Sequence, residues 1–184
     1  MIELLVVMSL AAVLMTLGAA AVRNFWFVRS LEGGKNEVVT ELRALQQRVI
    51  AASNPVVYGA MFTEGSEDWE VVQYRRDAPT INCNSDREVA FNTELEFDAG
   101  VEVQAVEFTD YTDQVTDASG TTTKNVTQDC LGDNPGADGI AWFFARGSAT
   151  PGSVTIEQPN LGRTETVCVS AITGRVDESE DGGC

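Results

Sequence analysis

The sequence predicts an α+β protein. A long N-terminal α-helix, apolar in one half and amphipathic in the other, packs on an antiparallel β-sheet head. Three observations carry this expectation. Residues 4–22 are 19 consecutive uncharged positions. Val38, Leu42, Leu45 and Val49 then recur on one helical face. After Pro55 the pattern changes to short β-rich runs separated by turn residues. The chain divides accordingly into a helical part, 1–54, and a head, 55–184.

Charge follows the same division. The 184 residues carry a formal net charge of -16 and contain no histidine. Residues 1–50 hold five bases (Arg23, Arg29, Lys35, Arg43, Arg48) against four acids (Glu3, Glu32, Glu37, Glu41), a net of +1. Residues 51–184 hold 24 acids and 7 bases, a net of -17. Without histidine, serine–histidine and cysteine–histidine catalysis and histidine-ligated zinc or haem are excluded within this chain. The acid excess argues against a nucleic-acid partner.

Taken in order, the 4–22 run comes first. It is long enough for a bilayer span, which needs about 20 apolar residues. Its polar members, Ser9 and Thr16, can bond back to the helix's own carbonyls. A signal peptide, a plain membrane anchor and a buried core helix are competing readings. Ala19-Ala20-Ala21 satisfies a small-x-small cleavage pattern, but no base precedes Arg23 and the run exceeds the usual apolar length of about 7–15 residues. A plain anchor does not explain Glu3, a carboxylate costly to bury unless paired. Glu3 can sit among headgroups at the helix N-terminus, where the dipole favours an acid. Buried, it needs a cation from another chain. Phe25-Trp26-Phe27, next to Arg23, suit a membrane-interface belt or packing between helices.

Gly33-Gly34 interrupts the helical pattern, giving an apolar segment 1–22 and an amphipathic segment 35–53. The helix is expected to stop near residues 52–55, because Pro55 restricts the residue before it. In the head, strands are expected at 69–74, 88–92, 101–108, 140–146, 154–157 and 164–170. The run VEVQAVEF alternates as far as Ala105 and shifts phase at Val106. Asn160-Leu161-Gly162 and Thr173-Gly174 read as turns. No long helical run separates these strands, so the sheet is antiparallel.

The four cysteines all lie in the head. They allow two disulfides in three connectivities, and no C-x-x-C spacing points to zinc or redox chemistry. The preferred pairing joins Cys168 to Cys184, stapling the acidic, glycine-rich end of the chain to the last long strand. Cys83–Cys130 then closes the middle. Asp110, Asp113 and Asp117, and separately Asp177, Glu178, Glu180 and Asp181, are clusters that could hold Ca²⁺. Neither has EF-hand spacing, and solvated surface is the simpler reading. No cofactor is expected. Asn125-Val126-Thr127 is a weak glycosylation sequon.

The segment MIELLVVMSLAAVLMTLGAAA resembles the N-terminus of type IV pilins and type II secretion pseudopilins, with Ile2 to Met8 matching the family motif consecutively. Residues 140–176, with AWFF, a hairpin and TGRV, more weakly resemble the heads of H-type pseudopilins and related minor pilins. The resemblance implies a short leader cut by a prepilin peptidase, and a mature chain with two residues, commonly Phe-Thr, before the position of Met1. It implies a methylated N-terminal amine, and a glutamate (here Glu3) that pairs with the amine of a neighbouring copy. Where the family often has proline, this chain has Ala20, so any melted stretch is expected near Gly18.

The expected function is therefore non-enzymatic. The chain would be a structural subunit of an extracellular pilus-like filament (a fimbrium), residing in the inner membrane before assembly. Its partners would be copies of itself and the inner-membrane assembly machinery. A minor pseudopilin or a minor tip pilin is the alternative. A membrane-anchored hydrolase would need a paired-carboxylate motif, and none is recognisable.

Overall fold

A computed structural model describes all residues except 1, 53–55, 77–82, 84–94, 98–99, 118–119, 133–135 and 180–183. Side chains at 2–5, 12, 16–17, 20–21 and 115–117 are outside the description as well. Helix α1 runs Ile2–Ala51, and α2 covers Val126–Gly132. Ten strands are described: β1 (Val56–Phe62), β2 (Asp68–Arg75), β3 (Leu95–Glu96), β4 (Glu102–Phe108), β5 (Thr112–Asp117), β6 (Gly120–Asn125), β7 (Gly139–Phe143), β8 (Gly152–Gln158), β9 (Arg163–Val169) and β10 (Val176–Ser179). They form sheet 1 in the order β3-β2-β1-β7, sheet 2 in the order β10-β9-β8-β4, and a separate ribbon β5-β6. All named pairings are antiparallel.

This corrects the expected fold class. The protein is not an α+β molecule with a helix laid on one sheet. It is β-dominated, with two four-stranded antiparallel sheets and one long helix, whose side-chain description is continuous only from Val22. The difference arises because β1, β3, β5, β6 and β10 carry no period-2 signal. β1 has the sequence VVYGAMF, buried along most of its length. A strand covered on both faces shows a run rather than an alternation.

Two cores explain that double cover. The helical stripe Val38, Leu42, Leu45 and Val49, all fully buried as expected, joins Leu31 and Val39 over the inner faces of both sheets. There they meet Phe62, Trp69, Val103, Phe143, Val154, Ile156, Val167 and Val176. On the other face of sheet 1, Val57, Met61, Val72, Tyr74, Ile140 and Trp142 pack with Val126, Cys83 and Cys130. Gly59 makes this possible, because a Cβ there would meet Ile140 at 2.7 Å and the Trp142 ring at 2.8 Å.

The expected break at Gly33-Gly34 is also corrected, since α1 continues through it. A Cβ on Gly34 would meet Phe97 at 3.2 Å and Val101 and Ile156 at 3.5 Å. Glycine here lets the helix backbone approach the head. Burial offsets its propensity cost of about 1 kcal/mol. Continuity extends through Gly18 too, so the expected melted stretch is not seen there.

The strands expected at 69–74, 101–108, 154–157 and 164–170 correspond to β2, β4, β8 and β9. That at 140–146 is β7, which ends at Phe143 before a reversal closed by the Phe144–Ser148 backbone bond. The expected strand at 88–92 lies outside the described residues. The phase shift in VEVQAVEF is a register shift between Val103 and Ala105 against β8. Both expected turns close hairpins, with Gly162 at φ 58° and Gly174 at φ 57°.

Candidate assembly surface

The apolar half of α1 leaves its large side chains in the open. Val6, Val7, Met8, Leu10, Val13, Leu14, Met15, Val22, Phe25 and Trp26 are each more than half exposed. Positions 6, 7, 8 and 10 already spread over roughly 200° of a helix of 3.6 residues per turn, and the sequence of the 4–22 run has no charge on any side. A helix apolar all round belongs in a protein core or in lipid, so this segment needs a partner that the single chain does not supply. Its one described hydroxyl is internally satisfied, as Ser9 Oγ donates to Val6 O at 2.8 Å. Among the described residues no helix is long and apolar enough to cross a membrane. The side chains at 4, 5, 12, 16, 17, 20 and 21 of the 4–22 run lie outside that description.

Of the residues singled out for assembly, Met1 and the Glu3 side chain lie outside the described residues. Phe25 and Trp26 are 61% and 66% exposed, so most of each ring is open among the described residues. Phe27 is half-buried beneath the Arg23 guanidinium at 5.6 Å, and Arg29 stands 6.0 Å from the Phe25 ring. These cation–π contacts pre-order a basic-aromatic collar where the bare helix meets the head.

Polar anchors then fix the helix on the head. Lys35 Nζ lies 3.1 Å from Glu178 and 3.5 Å from Glu165, reaching β10 and β9. Burial alone would lower its pKa, but the bonds to Glu178 and Glu165 prevail and hold it above its ordinary value. Arg43 Nη2 donates to Val176 O at 3.0 Å. Gln46 Nε2 donates to Thr173 O at 2.7 Å and to Gly147 O at 3.3 Å. Sequence reasoning missed Gly34, Lys35 and Gln46 as contacts. Only the glycine carried a signal, an isolated Gly within a helical pattern, and it was read as a break.

The two disulfides join Cys83 to Cys130 and Cys168 to Cys184, with Cα atoms 5.4 Å and 5.7 Å apart. The acidic loop behaves differently from a metal site. Asp113 is 9% exposed and takes a bidentate pair from Arg76 at 2.7 Å and 3.0 Å. Asp110 accepts from Asn125 Nδ2 at 2.7 Å. Among the described residues no group of three or more potential ligands could hold a metal ion. Asp117, Glu180 and Asp181 lie outside the described side chains. The Asn125 amide is also engaged, because its oxygen accepts from Gln128 N at 3.2 Å and caps α2. A glycan on Nδ2 would displace the bond to Asp110.

Burial opposes ionisation of Asp113. Hydrogen bonds from Arg76, Tyr111 and the Gln114 amide outweigh it and hold the carboxyl below its ordinary value. A depressed carboxylate pKa stabilises the fold above the unfolded-state value, about 3.9, and that stability is lost as pH falls through the folded value. We expect acid unfolding to gain a step below about pH 4 that Asp113→Asn removes. That variant should also cost about 1–3 kcal/mol at neutral pH, with Arg76 half exposed and therefore partly hydrated. Urea titrations at several pH values test this, and an unchanged acid limb would refute it.

Comparison with known proteins finds no match, whether among family models, curated proteins or solved structures.

Proposed function

We propose that this chain is a structural subunit of an extracellular type IV pilus-like filament, assembling through the apolar half of α1. The observation that carries the reading is the exposure of large apolar side chains over a broad face between Val6 and Trp26, on the same helix whose 31–49 stretch packs on the head. Packed against copies of itself, the bare half would bury its surface in a filament centre and leave the acidic heads facing water. Before assembly the same surface would be held in the cytoplasmic membrane. The sequence resemblance adds a role for Glu3, which would compensate a neighbour's N-terminal amine as the helix leaves the bilayer.

Glu3→Ala is expected to abolish or strongly reduce filaments in sheared preparations viewed by electron microscopy, while the variant chain keeps the near-ultraviolet dichroism of its folded head. Normal filaments from that variant would remove the pairing role. Discrete particles instead of filaments from the unmodified protein would remove the filament reading itself.

A further inference from the structure

A groove of about 410 Å³ runs between α1 and the β9–β10 turn, lined by Arg43, Gln46, Gln47, Thr173, Arg175 and Asp177 among others. Arg146 is exposed on the adjoining loop, which Gln46 ties to the helix through Gly147 O. Asp177 pairs with Arg175, with Nε–Oδ1 at 2.6 Å. Arg43 and Arg175 thus line the groove and Arg146 stands on the loop beside it, in a protein whose residues 51–184 carry a net charge of -17.

The opposite corner of the head has the reverse problem. In the sheet registers Asp68 stands across from Glu96, and Glu102 across from Glu157. Like charges directly opposite on neighbouring strands destabilise a sheet. Glu67 joins them, because Phe97 N donates to Glu67 O and Val103 N to Ser66 O. None of these five carboxylates has an ion pair among the described residues. Arg163, across from Gln158 on the same hairpin, bonds none of them.

We infer that the arginine groove of one head docks the carboxylate corner of the next copy. The choice of a second copy as occupant rests on the filament reading. Charge complementarity argues for it, since the five carboxylates of the corner have no ion pair among the described residues, while the Arg175 and Arg146 side chains stand exposed beside the groove. Position argues for it as well. The acidic corner lies level with Gly34, which touches Phe97, Val101 and Ile156. The groove lies level with Gln46. Twelve helical residues separate the two, about 18 Å along the axis at 1.5 Å per residue. Two different patches at different heights along α1 cannot close a two-fold dimer through a single contact. They give a head-to-tail interface that repeats, with neighbouring heads staggered by about that distance. Each acid pair is relieved by a neighbour's guanidinium.

The test uses the full-length chain carrying Arg146→Lys and Arg175→Lys, mixed from ¹⁵N-labelled and unlabelled halves and treated with a carbodiimide that joins amines to carboxylates directly. Mixed-label peptides are expected to join positions 146 or 175 to Glu67, Asp68, Glu96, Glu102 or Glu157. Their yield should fall about fivefold between roughly 0.1 M and 1 M salt, as the screening length drops from about 10 Å to 3 Å. Mixed-label links confined to other acids, or a yield indifferent to salt, would overturn the pairing. A second arm avoids dependence on lysine. Arg146→Glu/Arg175→Glu and Glu102→Lys/Glu157→Lys should each fail to associate alone and recover when mixed, and no recovery overturns the proposal. Filaments without these links leave the filament reading standing and remove the pairing. These links in discrete particles do the reverse.

Discussion

Leu14→Lys is expected to leave the head folded and to abolish assembly. Leu14 is 69% exposed on the isolated chain, so the substitution removes no internal contact. Surface changes of this kind usually move stability by no more than about 0.5 kcal/mol. In a packed filament centre the same ammonium would be desolvated without a partner, costing several kcal/mol for every copy. The two readouts should therefore separate, with the urea midpoint unchanged and filament yield near zero. Thr122→Lys, on the exposed strand β6 away from both docking surfaces, is the control that should still assemble. Filaments of normal yield from Leu14→Lys would show that this stretch of helix is not a packing surface.

Trp142→Ala should produce the largest loss of stability in the head, about 3–5 kcal/mol, against a usual total of about 5–15 kcal/mol for a domain. Trp142 is fully buried, its ring lies edge-on to Tyr74 at 6.4 Å, and it contacts Tyr111 at 6.2 Å. Its indole Nε1 donates to Thr127 Oγ1 at 3.0 Å, tying sheet 1 to α2. Trp142→Phe keeps most of the apolar contact and loses that bond, so about 1–3 kcal/mol is expected. Equilibrium urea unfolding separates the two. A loss below about 1 kcal/mol for the alanine variant would mean that the second core does not carry the stability assigned to it.

How much of this architecture could be read from the residues varies with burial. The stripe Val38, Leu42, Leu45 and Val49 was legible because one face is covered and the other wet, and the 3.6 period survives in that case. The slip in VEVQAVEF was legible because a bulge changes the parity of an otherwise alternating strand. β1 was not, since both of its faces are covered and VVYGAMF has no alternation to offer. The ribbon was not legible either, because GTTTKN is polar throughout β6. Its place is set by Arg76–Asp113 and by Thr127 Oγ1, which accepts from Tyr111 N at 2.9 Å, partners distant in sequence. These omitted strands tilted the expected balance toward helix, even though the glycine pair was read as a break in it. Of the candidate site, the exposed aromatics and the cysteine pairs were legible. The helix-to-head anchors were not, because Lys35 and Gln46 look like ordinary solvated positions on an amphipathic helix.

The double cover of sheet 1 also sets an order of opening. Amides of β1, with paired strands on both edges and apolar layers above and below, can exchange with solvent only when most of the head unfolds. The ribbon β5–β6, wet along Gly120–Thr123 and held to its neighbours mainly at its base, can open by itself at far lower cost. Pulling on α1 would load the Lys35, Arg43 and Gln46 contacts before it reached β1. Under tension the head would therefore yield first along its seam with the helix, with its central strands the last to part.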